Sequence, residues 1–188
     1  SDSAMISFIQ MVADQDVAGG RNTLRDPTLG EHIKKNINHS YNGFFAIHFA
    51  ANTGNVDIIR LLLKAGANPN VCAKPDGDTP LQRAVSQSQP DAVITLMKAG
   101  ADPNLRDAFG YNSLLRAVEN DLVEVVAALL QPGYPIQVDL TSQLSSEEGD
   151  TGLHLAARRD RRKMVQLLLE RGADARVLNK KGQSPFEL

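Results

Sequence analysis

The chain has 188 residues, which is enough for one compact domain or one short repeat array. Its formal net charge of -2 excludes a general polyanion binder, which needs a large basic excess, and its 42% hydrophobic content is ordinary for a folded domain. The single cysteine, Cys72, excludes an internal disulfide framework, and no apolar run approaches the roughly 18 residues of a membrane span. We therefore expect an intracellular, cytoplasmic protein without membrane insertion.

Residues 1–41 carry two predicted helices with a loop between them. Ile6–Val17 and Leu29–Ile37 each show the apolar spacing of an amphipathic helix. The stretch Gly19–Pro27, which is rich in Gly, Asn, Asp and Pro, predicts a loop, and its Gly19-Gly20 pair is typical of flexible chain. We interpret residues 1–41 as a degenerate N-terminal capping unit with an inserted loop. The alternative is a separate extension that packs on the end of the array.

From residue 42 onward the sequence repeats. A five-residue landmark, which reads Gly-Asp-Thr-Pro-Leu at Gly77–Leu81, occurs five times, and its spacings are 34, 33, 39 and 33 residues. The glycines that open it are Gly43, Gly77, Gly110, Gly149 and Gly182. A second landmark recurs in phase with the first at Leu61–Ala67, Leu96–Ala101 and Leu167–Ala173, and in degraded form at Leu129–Tyr134. This pattern predicts units at about 42–74, 75–107, 108–146 and 147–179, with a truncated fifth unit at 180–188.

Each unit reads as helix, turn, helix, turn. In the second unit Thr79 can cap the first helix, and Pro80 follows at the first helical position, where its missing N–H costs nothing. Gly100 ends the second helix, and Asp102–Asp107 leaves it as an extended turn. Such short helix pairs bury their apolar faces only by stacking on their neighbours.

The motif at these positions resembles that of a known family. Thr79–Ala84 reads Thr-Pro-Leu-Gln-Arg-Ala and Thr151–Ala156 reads Thr-Gly-Leu-His-Leu-Ala, both close to the ankyrin signature Thr-Pro-Leu-His-x-Ala. Residues 42–188 therefore resemble the ankyrin-repeat family. The resemblance implies an all-α solenoid of helix–turn–helix units with protruding β-turn or hairpin loops. It also implies a monomeric scaffold that binds a protein partner.

Residues with catalytic potential are few and scattered. His48 and His154 occupy the same place in two units, which predicts hydrogen bonding within the turns. No Cys or His cluster has metal-ligand spacing, no glycine loop suits a phosphate, and Cys72 reads as an inert thiol. We expect no enzyme activity, no metal and no cofactor.

The repeat pattern fails at two further places. About six extra residues fall within Tyr134–Glu148, which predicts an enlarged polar turn that is either a functional loop or a tolerated insertion. The segment Gly182–Leu188 begins a fifth helix and stops, so we expect the chain to be part of a longer protein. In that case it could be the targeting arm of a larger enzyme, including a bacterial effector that acts in the host cytosol.

The fourth unit contains a basic run. Arg158–Lys163 carries five positive side chains. The favoured interpretation is a solvated turn with local charge pairing; contact with an acidic partner is the alternative, and nucleic acid is disfavoured because interleaved aromatic residues are missing.

In ankyrin proteins the usual contact surface is concave and consists of turn tips and the exposed side of the first helices. Carried over position by position, the partner-binding candidates are Tyr41, Phe44, Asn52, Asp76, Asp78, Phe109, Tyr111, Glu119, Glu147, Asp150, Arg158 and Arg159. The aromatic residues are the expected anchors, although Phe44 and Phe109 could fold back onto the stack. We predict that the Phe109/Tyr111 tip and the Arg158/Arg159 pair form one recognition surface.

Two asparagines are candidates for modification. Asn70 and Asn104 close the Gly-Ala-x-x-Asn segments of the second landmark. The resemblance implies that they stabilise the turn, and that they can be substrates of asparaginyl hydroxylases; the structural role is favoured.

Overall fold

The computed structural model describes residues 2–188, and this part of the chain contains eleven helices and no strands. The helices are α1 (Ser3–Ala13), α2 (Val17–Arg25), α3 (Pro27–Asn36), α4 (Ala46–Thr53), α5 (Val56–Lys64), α6 (Pro80–Ser86), α7 (Pro90–Lys98), α8 (Ser113–Glu119), α9 (Val123–Leu129), α10 (Gly152–Arg158) and α11 (Arg162–Glu170). The predicted all-α solenoid is confirmed. No helix of the described part is long and apolar enough to cross a membrane.

The helices form two parallel rows. The first helices of the units, α4, α6, α8 and α10, stack on one another, and the second helices, α5, α7, α9 and α11, stack beside them. Small residues allow the first row to pack closely: Ala50, Ala84, Ala117 and Ala156 are all fully buried within it. Each helix pair thus covers the apolar face of its neighbour, which a single pair cannot do alone.

The ends of the helices follow the predicted signals in the second unit. The Thr79 hydroxyl accepts a hydrogen bond from the backbone N–H of Gln82 (3.2 Å), and the side-chain Oε1 of Gln82 accepts one from the Thr79 N–H (2.8 Å), so a capping box opens α6. Pro80 occupies the first turn. After α7, Gly100 takes the left-handed conformation (φ 87°) that releases the chain from the helix.

The prediction of a loop at Gly19–Pro27 is wrong, because α2 occupies most of this stretch. The Asp16 carboxylate accepts a hydrogen bond from the Gly19 N–H (2.8 Å) and so begins the helix. Gly20 is buried, and a Cβ atom at this position would lie 3.2 Å from Cδ2 of Leu61 on α5. Gly20 therefore permits close helix packing, and Gly19 lies against the Asp16 carboxylate that caps the helix.

The remainder of residues 1–41 differs from the prediction in detail. The helix predicted at Ile6–Val17 is α1, which ends at Ala13, and the helix predicted at Leu29–Ile37 is α3. α1 packs on α4 and α2 packs on α5, which is how successive units pack elsewhere, while α3 lies against both α1 and α2. We infer that α1 and α2 are the helix pair of a first unit and that α3 is the added element.

The extra residues of the third unit are divided between two places. The backbone N–H of Asp139 donates to the Asn104 side chain (2.8 Å) just as that of Asp102 donates to Asn70 (2.7 Å), so Asp139 and Asp102 are equivalent. Four of the six extra residues therefore lie before Asp139, next to the end of α9. Here Tyr134 is buried, and its hydroxyl donates to a carbonyl at the end of that helix (2.7 Å).

The other two extra residues lengthen a hairpin tip. A hydrogen bond from Leu144 N to Asp150 O (2.9 Å) closes a tip of seven residues, whereas the preceding tip, closed by Asp107 N and Tyr111 O (2.9 Å), has five. The predicted extra residues thus lie within Tyr134–Glu148, which contains no helix, but they are divided between a segment beside the end of α9 and a slightly longer tip.

The fifth helix predicted at Gly182–Leu188 is also wrong for the described chain. Ser184 and Glu187 form one turn, in which the Glu187 carboxylate accepts a hydrogen bond from the Ser184 N–H (2.8 Å). The segment is too short to form the consecutive i to i−4 hydrogen bonds of a helix.

Candidate functional site

The hairpin tips form a row along one edge of the solenoid. Backbone hydrogen bonds between neighbouring tips run from Lys74 N to Gly43 O (2.9 Å), from Ala108 N to Asp76 O (2.8 Å) and from Lys180 N to Glu148 O (2.8 Å). Between the third and fourth tips the Arg106 guanidinium instead donates to Gly110 O (2.6 Å) and Gln143 O (2.7 Å). These bonds hold the tips in register, so they present a fixed surface.

A cavity lies between the second and third units, on the side of the tips and the first helices. Its volume is about 360 Å³. The charged and aromatic residues that line it are Asp76, Asp78, Arg83, Asp107, Phe109 and Arg116. Arg83 and Arg116 lie 33 positions apart and occupy the same place in α6 and α8, so the floor of the cavity repeats with the units.

Both arginines are fixed by a carboxylate and by an aromatic ring. Arg83 pairs with Asp78 (2.8 Å), and its guanidinium carbon lies 5.3 Å from the centre of the Phe44 ring. Arg116 pairs with Asp107 and lies 4.2 Å from the centre of the Tyr111 ring. Because an arginine held in this way has little rotamer freedom left to lose, the floor of the cavity is preorganised.

Of the four aromatic residues predicted at the tips, Phe109 is the exposed one. The residue is 66% exposed and lies at the rim of the cavity. Phe44 folds back onto the stack, with its ring centre 6.0 Å from that of Phe49, and is half-buried. Tyr41 and Tyr111 are also half-buried and pack against the core. Phe109 is therefore the one of the four whose ring is largely open to solvent, and the other three pack against the stack.

The basic run of the fourth unit is paired locally. Arg158 donates to the Asp150 carboxylate (3.0 Å), and Arg159 pairs with Glu119, whose backbone carbonyl also accepts from Arg159 (3.1 Å). Arg162 pairs with Asp160 (3.3 Å). These contacts support the interpretation of a solvated turn with local pairing and weaken that of a patch for an acidic partner.

The prediction that Asp150 contacts a partner is wrong in this structure, because its side chain is buried. Only 3% of the residue is exposed, and Asn179 donates to the same carboxylate (2.9 Å) as Arg158 does. Burial alone would raise the pKa of Asp150, but the hydrogen bonds from Arg158 and Asn179 outweigh it and lower the pKa. The Asp150 carboxylate thus links the fourth unit, through Arg158, to the following tip, through Asn179.

The remaining candidates lie at the surface. Asn52 is exposed beside a smaller cavity of about 180 Å³ that Phe44 and Arg83 also line. Asp76 and Glu147 are exposed, and within the described chain their carboxylates have no hydrogen bond or ion pair. The neighbouring Glu148 is held by Lys181 (3.0 Å), and this hydrogen bond lowers the pKa of Glu148.

The two histidines that share a repeat position link consecutive units. Nε2 of His48 bonds to the backbone carbonyl of Asp78 (3.0 Å), and Nε2 of His154 bonds to that of Gln183 (2.9 Å). Burial lowers the pKa of His48, so its neutral form is favoured. The predicted structural role of these histidines is confirmed. Gln82, at the same place in the second unit, donates to the carbonyl of Tyr111 (2.8 Å) and was missed because its residue type differs.

The two candidate asparagines also link units. The Asn70 amide donates to Gly100 O (3.2 Å), and its carbonyl accepts from the next turn (2.7 Å). Asn104 makes the matching bonds, to Gln137 O (2.9 Å) and from the following turn (2.8 Å). Asn38 begins this ladder, because its side-chain amide donates to Gly66 O in the following turn (2.9 Å). Sequence reasoning missed Asn38 because it lies within residues 1–41, where the repeat signature is missing.

Residues 2–188 contain no set of side chains that could coordinate a metal ion. No group of three or more His, Cys, Asp and Glu side chains in this range could hold an ion. Cys72 is exposed, and its sulfur makes a weak contact with the Asn70 carbonyl oxygen (3.8 Å). The cavity at the tips is lined by charged, aromatic and amide side chains.

Two family models of ankyrin repeats match the chain, over residues 19–107 and 129–188. Among known proteins it resembles human 2-5A-dependent ribonuclease (37% identity over 75 residues, 40% of this chain and 9% of the relative). It also resembles the ankyrin repeat and KH domain-containing protein mask of Drosophila melanogaster (36% over 77 residues; 41% and 2%) and human B-cell lymphoma 3 protein (32% over 109 residues; 57% and 24%). The matches span less than a quarter of each relative's length. The chain belongs to the ankyrin-repeat family, whose repeats generally mediate protein–protein interaction.

Proposed function

We propose that the chain binds a protein partner on its concave face, which consists of the hairpin tips and the exposed side of the first helices. The observation that carries the proposal is Phe109, 66% exposed at the rim of a cavity of about 360 Å³. A large exposed aromatic side chain beside a formed cavity is a common anchor for a partner protein. The hydrogen-bonded tips support this proposal because they reduce the conformational entropy that binding would cost.

The recognition surface is centred on Phe109 and Asp76 rather than on the basic run. The arginines of the predicted joint surface, Arg158 and Arg159, are already paired with carboxylates of this chain. A partner would have to break those pairs before it could use them, which lowers their net contribution to binding. In this arrangement the Tyr111 ring packs against the Arg116 guanidinium, and Phe109 contacts the partner protein.

The test is a selection of random peptides displayed on phage against the immobilised chain, followed by affinity measurement with two variants. Phe109→Ala should weaken binding of the selected peptides at least about tenfold, which corresponds to about 1.4 kcal/mol. The control, Leu169→Ala, truncates another exposed apolar side chain (40% exposed), which lies on α11 in the second row. Selected peptides that bind the Phe109→Ala variant as tightly as the wild-type chain would contradict the proposal.

A second proposal concerns the context of the repeats. The chain matches only 9% of the length of a ribonuclease, which favours a role as the targeting arm of a larger protein. The sequence of the complete gene is the test, and a gene without a catalytic domain would contradict this role.

We also propose a monomer in a reducing intracellular compartment, in keeping with the exposed free thiol of Cys72. Gel filtration with light scattering checks that the chain is a monomer. A fusion to a redox-sensitive fluorescent protein checks that its compartment is reducing.

A further inference from the structure

A groove on the opposite side of the solenoid has a different character from the concave face. The second-row helices α5 and α7 lie side by side, and a cavity of about 300 Å³ opens outward between them. Leu63 and Ile94, both half-buried, provide its apolar floor. Three basic side chains, Arg60, Lys64 and Lys98, line it as well. We call this surface the α5–α7 groove.

The basic side chains of the α5–α7 groove are available to a ligand. Lys64 and Lys98 are exposed, and within residues 2–188 neither forms an ion pair or a side-chain hydrogen bond. Arg60 has a carboxylate of Asp57 at 3.9 Å, but both side chains are more than 60% exposed, so the pair contributes little. No carboxylate of the described chain lines the groove. It is therefore locally cationic in a chain whose net charge is -2.

Helix chemistry explains only part of this arrangement. Lys64 and Lys98 lie in the last turns of α5 and α7, where a positive charge interacts favourably with the helix dipole. That effect falls off within one turn, so it does not account for Arg60, which lies four residues earlier. The one hydroxyl in the groove, that of Thr95, already donates to the Asp91 carbonyl of its own helix (2.8 Å). An occupant would therefore meet an apolar floor and three cations.

We propose that the α5–α7 groove binds an acidic amphipathic helix of a protein partner. The furrow between two adjacent helices accepts a third helix, whose apolar side chains at one-turn spacing would rest on Leu63 and Ile94. Glu or Asp side chains on the flanks of that helix would pair with Arg60, Lys64 and Lys98. The groove lies on the second row and Phe109 on the tips, so this site is separate from the concave face and both can be occupied at once.

The test uses defined peptides and the whole chain. Three labelled amphipathic peptides share one stripe of leucines along the helix. All of their remaining positions are Glu in the first peptide, Gln in the second and Lys in the third. Fluorescence anisotropy should show the Glu peptide binding about tenfold more tightly than the Gln peptide, with an affinity that falls as salt is added. A Lys64→Gln/Lys98→Gln variant should lose this advantage, whereas Leu63→Ser should weaken the binding of both peptides.

Control variants and a competing ligand complete the experiment. Lys35→Gln/Lys163→Gln removes two exposed lysines from α3 and α11 and should leave binding unchanged. Equal affinity for the Glu and Gln peptides, unchanged binding by the Lys64→Gln/Lys98→Gln variant, or no binding of any peptide would overturn the proposal. Phosphatidylserine vesicles form the last arm: binding of vesicles that requires Lys64 and Lys98, without binding of the Glu peptide, would assign the groove to a lipid surface instead. Far-UV circular dichroism verifies that each variant is folded.

Discussion

The buried amide of Gln82 offers a stringent test of how the units are held together. Its side chain donates to the carbonyl of Tyr111 (2.8 Å) and to that of Leu105 (3.2 Å), and it accepts from the N–H of Thr79 (2.8 Å). Only 3% of the residue is exposed. The substitution Gln82→Ala removes all three hydrogen bonds and leaves one donor and two acceptors of the backbone without this partner.

The expected loss can be worked out from these contacts. A buried polar group that loses its partner costs about 1–3 kcal/mol. The Thr79 N–H is buried, while the bonds to the carbonyls of Leu105 and Tyr111 are partly buried and water can replace some of their energy. We therefore expect the free energy of unfolding to fall by about 2–4 kcal/mol, a large share of the roughly 5–15 kcal/mol of a typical domain. Urea denaturation followed by circular dichroism measures it.

The repeat supplies its own controls. His154 occupies the same place in the fourth unit and makes the equivalent bond to Gln183 O (2.9 Å), so Gln82→His should lose less than about 1 kcal/mol. Gln87→Ala truncates an exposed glutamine at the end of the same helix and should stay within about 0.5 kcal/mol of the wild-type chain. A loss below about 1 kcal/mol for Gln82→Ala, or equal losses for the Ala and His variants, would refute the reasoning.

Stability should decrease as the pH falls below the usual histidine value of 6.5, because burial lowers the pKa of His48 and the unfolded chain then binds the proton more readily; urea titrations of a His48→Gln variant should show a smaller decrease, and an equal one would contradict this. Asn70→Ala and Asn104→Ala should each cost about 1–3 kcal/mol in the same assay. Because both amides are bonded, intact-mass measurement of the folded chain after treatment with an asparaginyl hydroxylase should show no added oxygen, and an added oxygen would establish modification. Arg159→Ala should cost less than about 1 kcal/mol in urea, since its pair with Glu119 is partly exposed; a larger loss would make that pair structural.

Much of the fold could be predicted because its signals are local. The capping box at Thr79, the proline after it and the glycine at the end of the second helix each act within one helical turn. Their recurrence every 33 residues then places the helices of the regular units. The shared position of His48 and His154 predicted their structural role for the same reason, and Gln82 would have been found by comparing positions instead of residue types.

Residues 1–41 show where local signals fail. Gly19 and Gly20 indicate a loop when only their neighbours in sequence are considered. In the folded chain Gly20 lies against Leu61, 41 positions away, and the small residue is what allows α2 to approach α5. Packing with a distant helix thus overrides a weak local preference for a loop.

The candidate site also has some features that the sequence determined and others that only the tertiary structure decided. The sequence by itself determined the period, the family and the set of tip residues, because these depend on residue type and spacing along the chain. Tertiary structure decided which of those residues are free, since Arg159 meets Glu119 across 40 positions and Asp150 is buried between Arg158 and Asn179. It also formed the α5–α7 groove, whose basic side chains come from two units. Whether a side chain is exposed or paired with an opposite charge depends on its neighbours in space. Stacking of the units brings together residues that are far apart in sequence, so local sequence signals do not reveal these neighbours.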